Sequence, residues 1–229
     1  MAEAFPFLKE KRHVISLVGA GGKTSIMYGM AEAFCERGHR VLVTTSTHIA
    51  RPDERVMADT LEEAEALWQQ GNYAVIGRAV SEKKLGMPDE RLLAEAMARA
   101  DSVLIEADGA RRLSCKAPGS REPVILPQCD IVVGVLGLDA LGNRIEDVCF
   151  RPERVAQICR KAGADLLEEY DMAALLASED GLRKYVENRR YYAVLNKCDD
   201  AERMKQAAVI TKELVQKGIF HVVVSRFRR

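Results

Sequence analysis

The sequence lacks the features that mark several classes of protein. Its six cysteines form no C-x-x-C pair and no Cys/His cluster, which argues against a disulfide scaffold and a structural zinc site. Lys+Arg and Asp+Glu number 34 each, so no net charge draws the chain to nucleic acid or to an anionic membrane. No apolar run approaches the roughly 18 residues of a membrane span, and residues 1–12 carry Pro6 and charges where a signal peptide would be apolar. We therefore expect a cytoplasmic protein that binds neither nucleic acid nor membrane.

Aromatic residues are also scarce, at 6% of the chain against 48% hydrophobic residues. This balance favours an aliphatic core of helices packed on a sheet. We expect most cysteines to be buried as small hydrophobic residues. Cys115 lies in a polar stretch and is a candidate reactive thiol.

Short apolar runs alternate with amphipathic segments along the whole chain, which predicts an α/β fold with a mostly parallel sheet and helices on both of its faces. The 229 residues fit a single domain, 1–229, in which 150–190 is a candidate helical elaboration. The spacing predicts strands at 14–18, 40–45, 73–77, 102–107, 131–136, 191–195 and 219–224. It predicts helices after the first strand and at 61–70, 89–100, from Pro152, as two short pieces within 172–186, and at 200–217.

A glycine-rich segment with a lysine follows the first predicted strand and opens the first helix. Glycines let successive N–H groups face an anion, and the helix N-terminus adds a partial positive charge. A lysine there reaches terminal phosphates, and the hydroxyl after it can hold Mg²⁺. The segment predicts a P-loop NTPase-like fold that binds a nucleoside triphosphate through Gly19, Ala20, Gly21, Gly22, Lys23, Thr24 and Ser25.

The segment departs from the full P-loop pattern, and other interpretations are open. The full P-loop pattern needs a glycine at position 17, where the chain has Leu17, so the loop resembles the shorter ATP loop of the peptidoglycan-precursor (Mur) ligases. A dinucleotide fold would need a third glycine at the position of Thr24, and an acidic residue where the second strand ends in Thr44 and Thr45. The remaining alternative is an ordinary tight turn with a solvated Lys23.

Two carboxylates, Glu106 and Asp108, end the strand predicted at 102–107. Mg²⁺ usually takes one or two carboxylates beside the phosphates of a nucleotide. We predict that Thr24 and one or both of these carboxylates hold the metal, and that Lys23, Glu106 and Asp108 form the catalytic set. The alternative is that Asp108 and Gly109 are only a turn pair. The hydroxyl row at 44–48 is a further candidate for contact with phosphate or a metal-bound water, and residues 137–142 are a candidate lining of the same cleft. Arg111, Arg112 and Lys116 are candidates to neutralise transferred charge or an acidic substrate, and the alternative is a solvated loop.

Asn196, Lys197 and Asp199 form an N-K-x-D pattern after the strand at 191–195. Many GTPases hold guanine with this pattern, because one carboxylate accepts from both N1–H and the 2-amino group, which adenine does not offer. Asn196 would steady the loop or reach the base, and the stem of Lys197 would cover the ring. The alternative is that Asp199 or Asp200 caps the next helix. The bound nucleotide is therefore expected to be GTP, with ATP left open.

The ordered motifs V-G-A-G-G-K-T-S, T-T-S-T-H, E-A-D-G-A, K-A-P, E-P-V-I-L-P, V-G-x-x-G-L-D-A-L-G, F-R-P-E and L-N-K-C-D resemble the YqeC family of selenium cofactor biosynthesis, or selenium-dependent molybdenum hydroxylase accessory, proteins. The resemblance implies a P-loop protein that assists maturation of a selenium-containing molybdenum enzyme. The expected partners are Mg²⁺, the nucleotide and a client metalloenzyme or cofactor-biosynthesis protein, and a homodimer is left open. On a looser scale, Glu106 and the loop after it resemble the nickel-insertion GTPases.

Three functions are consistent with these patterns. The first is a nucleoside-triphosphatase, GTPase rather than ATPase, that acts as an accessory protein. The second is an ATP-dependent enzyme that activates a small molecule, as the Mur-like loop allows. The third is a nucleotide sensor or scaffold that does not hydrolyse its ligand.

Overall fold

A computed structural model of the chain describes residues 3–226. The strands are β1 His13–Gly19, β2 Val41–Thr45, β3 His48–Ala50, β4 Ala74–Val75, β5 Arg78–Ser81, β6 Lys84–Gly86, β7 Ser102–Glu106, β8 Cys115–Lys116, β9 Ile131–Gly137, β10 Cys149–Phe150, β11 Arg190–Asn196 and β12 Val222–Val224. The α-helices are α1 Lys23–Cys35, α2 Leu61–Gln69, α3 Glu90–Arg99, α4 Ile145–Val148, α5 Pro152–Cys159, α6 Glu169–Ala177 and α7 Ala201–Gln216. Short 3₁₀ helices lie at Pro6–Lys9, Glu54–Val56 and Leu138–Ala140.

The chain folds as two compact units. The first contains the chain up to Leu17, Thr24–Ala107 and Val124–Ile131. The second contains Val18–Lys23, Asp108–Pro123 and the chain from Val132. The backbone therefore passes from one unit to the other between Lys23 and Thr24 and between Ala107 and Asp108. The assignment of 1–229 to one nucleotide-binding domain stays a prediction.

The first unit is built on a parallel sheet. Its strands lie in the order β1-β7-β2-β4, and each neighbouring pair is parallel. On one face, Leu42, Val103 and Ile105 pack with Trp68 of α2 and Leu93 of α3. Because side chains alternate across a strand, burial of all five positions of β2 and of β7 means that both faces of these strands are covered. The predicted α/β fold with helices packed on a mostly parallel sheet is confirmed.

The first unit also contains a small antiparallel sheet that the sequence analysis missed. Its strands lie in the order β3-β6-β5. All four residues of β5 are exposed, so this strand carries no alternation of buried and exposed positions. The predicted strand 73–77 is shorter in the structure, at Ala74–Val75.

In the second unit the strands lie in the order β12-β11-β9, and β11 is parallel to β12. Helix α7 follows β11, and Asp200 caps it by accepting a hydrogen bond from the Arg203 N–H at 2.8 Å. The prediction of two short helices within 172–186 is wrong in its second half. Helix α6 ends at Ala177, and turns follow it, in which Leu182 and Val186 are buried without helical structure.

The expectation of a reactive Cys115 is also wrong. Cys115 is fully buried in β8, where it pairs in parallel register with Cys149 of β10. The hydrogen bond to Cys149 and burial raise the pKa of the Cys115 thiol well above its usual value. A thiol held in its neutral form is a poor nucleophile. Cys129, Cys149 and Cys198 are buried too, as expected, while Cys35 and Cys159 are partly exposed.

None of the helices within residues 3–226 has the length and apolar character needed to cross a membrane.

Candidate functional site

The glycine-rich segment has a backbone that only glycine adopts readily. Gly19, Gly21 and Gly22 have φ values of +100°, +75° and +115°, which residues with a side chain rarely adopt. There is also no room for a side chain at Gly21, because a Cβ there would lie 2.3 Å from the Gly137 nitrogen. The Ala20 N–H donates to Val135 O at 2.8 Å, and α1 begins at Lys23. The predicted order of buried strand, glycine loop and helix is confirmed.

Lys23 is held inside this loop by Asp108. Its ammonium donates to Gly19 O at 2.6 Å and lies 3.0 Å from Asp108 Oδ1. The Gly19 N–H in turn donates to Asp108 Oδ1 and Oδ2 at 3.1 and 3.0 Å. The two side chains are only 4% and 2% exposed, so Lys23 is not the solvated residue of an ordinary turn. A phosphate that reaches Lys23 has to take the place of these partners.

Asp108 shares a buried charge chain with Lys116. The Lys116 ammonium lies 2.8 Å from Asp108 Oδ2 and 2.9 Å from Glu122 Oε2, and it donates to Gly109 O at 2.6 Å. Arg151 then donates to both oxygens of Glu122 at 2.7 and 3.0 Å. Burial alone would raise the pKa of Glu122, but hydrogen bonds from Arg151 and Lys116 outweigh it and lower the pKa to about 2. We call the series Lys23, Asp108, Lys116, Glu122 and Arg151 the charge chain.

In the first unit, Thr24 and Glu106, two of the predicted metal ligands, are in contact, and we call them the metal pair. The Thr24 hydroxyl donates to Glu106 Oε2 at 2.8 Å, and Glu106 is 7% exposed. The Thr45 hydroxyl fixes the end of β7 by donating to Glu106 O at 2.8 Å. A hydroxyl and a carboxylate oxygen side by side match the hard ligands that Mg²⁺ takes beside a phosphate. Asp108, by contrast, has two lysines and an N–H group on its oxygens.

Most of the row of hydroxyls at 44–48 has structural partners. Thr44 donates to Ile76 O at 2.9 Å and Ser46 to Val124 O at 2.6 Å, so these side chains tie strand ends together. Thr47 Oγ1 is buried and has no hydrogen-bond partner among the described residues. His48 is exposed in β3. Ser25 is exposed at the start of α1.

The arginines after Gly109 lie on the surface. Arg111 and Arg112 are both exposed, and both have left-handed backbone, with φ values of +48° and +64°. The Arg111 guanidinium lies 5.2 Å from the centre of the Phe150 ring. That they neutralise transferred charge or an acidic substrate stays a prediction.

Within the second unit, Asn196 connects the N-K-x-D segment to the glycine loop. Its Nδ2 donates to Gly21 O at 2.8 Å, and its Oδ1 accepts from the Ser225 hydroxyl at 2.8 Å. Asn196 is 2% exposed. The structure thus places the first residue of the predicted base loop directly on the predicted phosphate loop, which is the loop-steadying role that the sequence suggested for it.

Asp199 is not the cap of α7, since Asp200 holds that position. The Asp199 carboxylate is 44% exposed and lies 3.4 Å from an Arg203 nitrogen, a weak contact at the surface. The alternative that Asp199 or Asp200 caps the helix is therefore confirmed for Asp200 and wrong for Asp199. Its carboxylate is accessible to a ligand.

Three residues that support these loops are not among the candidates from sequence: Ser114, Glu122 and Arg151. Lys197 Nζ lies 2.7 Å from Asp139 Oδ2 and donates to Ser114 Oγ at 2.8 Å. Asp139 belongs to the segment 137–142, which the sequence places after a strand as a candidate lining of the same cleft. Ser114, Glu122 and Arg151 lie in loops or short elements whose pattern carries no such signal. Among residues 3–226, no three His, Cys, Asp or Glu side chains are grouped as ligands for a metal ion.

Comparison with solved structures gives a distant likeness. The crystal structure of HypB from Helicobacter pylori in complex with nickel aligns with 98% of this chain and 83% of that chain, at 12% identity and a TM-score of 0.39. We draw nothing about function from a likeness at this level.

Comparison with sequences gives a family. The sequence model of the family described as YqeC protein matches residues 15–153. The uncharacterized protein YqeC of Escherichia coli (strain K12) is 31% identical over 200 residues, which cover 82% of this chain and 78% of that protein. The chain therefore belongs to the YqeC family.

Proposed function

We propose that this protein binds a magnesium nucleoside triphosphate, with GTP preferred, and hydrolyses it as an accessory protein in the maturation of a selenium-containing molybdenum hydroxylase. Lys23 and the N–H groups at the start of α1 would hold the phosphates, whereas the N–H groups of Gly19, Ala20 and Gly21 donate within the protein. The maturation role rests on the resemblance of the motifs to the family. The proposal of a nucleotide ligand rests on the geometry of the loops.

The observation that carries the proposal is the hydrogen bond from Asn196 to Gly21 O. It joins two segments that lie 175 positions apart in sequence and that were each predicted, from unrelated patterns, to bind one half of a nucleotide. A buried side-chain amide that bonds a loop carbonyl fixes the distance between the two segments. This is the arrangement that recognition of a base and its phosphates by one site requires.

The metal would lie beside Thr24 and Glu106. Thr24 directly follows the phosphate-binding Lys23 in the chain, and its hydroxyl already contacts the Glu106 carboxylate. Bound Mg²⁺ would neutralise charge on the transferred phosphoryl group. Asp108 is better suited to hold Lys23 and the loop than to ligate a metal, because its oxygens accept from cations and an N–H group. Of the two predicted carboxylates, we therefore propose Glu106 as the metal ligand.

Asp199 would read the base. Its accessible carboxylate is the last residue of the N-K-x-D pattern, in which guanine N1–H and the 2-amino group would both donate to the aspartate. A site that depends on such hydrogen bonds rejects a base that lacks the donors by roughly 10⁴-fold or more when it is closed to water.

We expect slow hydrolysis by the protein alone, since an arginine added by a partner raises turnover by roughly 10³–10⁵ in related chemistry.

One observation favours the second candidate function, ATP-dependent activation of a small molecule. The first unit contains a cavity of about 450 Å³ lined by Tyr28, Pro52, Asp53, Arg55, Val56, Asn72 and Tyr73. Tyr28 lies one helical turn after Thr24 on α1, so an acceptor bound there would be near the metal pair. Turnover that requires a small acceptor, and no partner protein, would select this function.

The experiment that tests the proposal is nucleotide binding and hydrolysis by the wild type, Asp199→Asn and the matched control Asp200→Asn. Asparagine is a good helix cap, so the control keeps the cap and changes the neighbouring carboxylate. Asp199→Asn should weaken GTP and favour xanthosine triphosphate, whose 2-oxo group accepts from the new amide. If wild type binds ATP and GTP equally, and Asp199→Asn changes neither, guanine recognition is wrong.

A further inference from the structure

Lys197 is anchored by two residues that its own motif does not include. Its ammonium lies 2.7 Å from Asp139 Oδ2 and donates to Ser114 Oγ at 2.8 Å. Ser114 Oγ also donates to Asp139 Oδ2 at 2.9 Å, so the three groups close a small ring of hydrogen bonds. The side chains of Lys197 and Asp139 are 23% and 31% exposed. We call Ser114 and Asp139 the lysine anchor.

The backbone of Lys197 is fixed on both sides of its side chain. Its φ is +62°, in the left-handed region that residues with a side chain adopt infrequently. Asn196, the residue before it, is fixed by Gly21 and Ser225. The lysine anchor fixes the end of the next side chain. The two constraints together determine where the stem of Lys197 runs.

The lysine anchor is packed against the glycine loop. The Gly137 N–H donates to Ser114 O at 2.8 Å, and the Gly21 N–H donates to Leu113 O at 3.1 Å. A Cβ on Gly137 would lie 2.6 Å from Asp139 Oδ1 and 3.2 Å from Gly21 Cα, so no side chain fits between them. A carboxylate in such a tight setting has little freedom to follow Lys197 if the lysine moves.

We infer that Asp139 is a positioning residue for base specificity: by holding the Lys197 ammonium, it sets the lysine stem at the height where it covers a purine ring. The inference rests on the proposed function and deepens it, since it concerns the same nucleotide. Without the carboxylate, the ammonium keeps only the Ser114 hydroxyl and the stem is free to rotate. Loss of the carboxylate should therefore weaken binding of the base and leave binding of the phosphates unchanged.

Calorimetric titration with Mg-GTP and with Mg-tripolyphosphate, which has the phosphates and no base, tests the inference. Asp139→Asn keeps the shape and removes the charge, and Asp180→Asn, at an exposed aspartate of the same unit, is the matched control. We expect Asp139→Asn to weaken Mg-GTP roughly tenfold, an effect of the size measured for residues in contact. Its affinity for Mg-tripolyphosphate should equal that of the wild type and of Asp180→Asn.

A double-variant comparison separates positioning from general support. Lys197→Met keeps the stem and removes the ammonium, so Asp139→Asn should add no further loss of GTP affinity to it. Losses that multiply in the double variant, or an equal loss of Mg-tripolyphosphate affinity, would overturn the inference. Ser114→Ala gives a second variant should Asp139→Asn not fold, and it should show the same selective loss to a smaller degree.

The two proposals fail in different ways. If the wild type binds neither Mg-GTP nor Mg-tripolyphosphate, the proposed function is wrong and the inference falls with it. If the wild type prefers GTP and Asp139→Asn retains the same preference and affinity, only the inference is wrong.

Discussion

Replacement of Lys116 by methionine tests how the charge chain stabilises the second unit. Lys116 is fully buried, and its three ammonium donors contact Asp108, Glu122 and Gly109 O at 2.6–2.9 Å. Methionine fills most of the volume of the lysine stem and removes the charge. The buried carboxylate of Asp108 and the partly buried carboxylate of Glu122 then each lose one cation, although Lys23 still contacts the first and Arg151 the second.

The expected loss is about 3–5 kcal/mol of unfolding free energy, the range for removing one partner of a buried ion pair. For a chain of this size, 1 kcal/mol moves the midpoint of thermal unfolding by roughly 2–4 °C, so Lys116→Met should lower it by about 10 °C. The measurement is thermal unfolding followed by circular dichroism at neutral pH. Lys205→Met, at an exposed position on α7, is the matched control and should leave the midpoint within a few degrees of wild type.

An equal midpoint for Lys116→Met and Lys205→Met would refute the reasoning. It would mean that the carboxylates of Asp108 and Glu122 are satisfied without the lysine, by rearrangement or by water. A midpoint above that of wild type would also refute it, because the desolvation free energy of the buried ammonium would then be larger than the stabilisation from its contacts.

Three further predictions follow from the same contacts. Hydrogen bonds from Arg151 and Lys116 lower the folded-state pKa of Glu122 to about 2 from an ordinary 4.5, so the stability that this carboxylate contributes should be complete above pH 4.5 and disappear as pH falls toward 2; in acid titrations of stability, Glu122→Gln should lack this slope. Asp200→Ala should lower the unfolding free energy by about 1 kcal/mol in urea titrations without changing nucleotide preference, since the residue only caps α7. Thr24→Ala and Glu106→Gln should each raise the Mg²⁺ concentration needed for half-maximal nucleotide binding, whereas Thr24→Ser, which keeps the hydroxyl, should not.

The elements that could be predicted are those whose pattern is local. The run ending at Val18, the glycines after it and the helical spacing of Met27, Met30 and Phe34 predicted β1, the loop and α1, because strand, turn and helix each leave their own signature within a few residues. The helices at Leu61–Gln69 and Glu90–Arg99 were predicted within about one residue for the same reason.

The elements that could not be predicted depend on distant partners. Strand β5 is exposed at every position and exists only because β6 pairs with it, so its sequence shows no alternation. Leu182 and Val186 are four positions apart, as on a helix face, yet they are buried by turns whose course the rest of the unit determines. Polarity misled the analysis at Cys115, which lies among polar neighbours in sequence and beside Cys149 in space.

In the candidate site, too, local patterns could be predicted and contacts between distant residues could not. The identities of Lys23, Glu106 and Asn196 could be proposed from motifs, since each occupies a fixed place after a strand. The partners of these side chains could not be predicted from motifs. Asp108 contacts Lys116, and Asn196 contacts Gly21, only because the tertiary fold brings them together. The choice of Glu106 over Asp108 as the metal ligand therefore came from the geometry.

Calorimetry of the wild type and Lys23→Ala with Mg-GTP and Mg-ATP measures whether the N–H groups at the start of α1 and the Lys23 ammonium bind a polyphosphate. We expect saturable binding of at least one of the two nucleotides by the wild type, and affinity at least tenfold weaker for Lys23→Ala, with both proteins folded by circular dichroism. Absence of heat for any magnesium triphosphate, or equal affinity with and without the ammonium, would contradict this expectation.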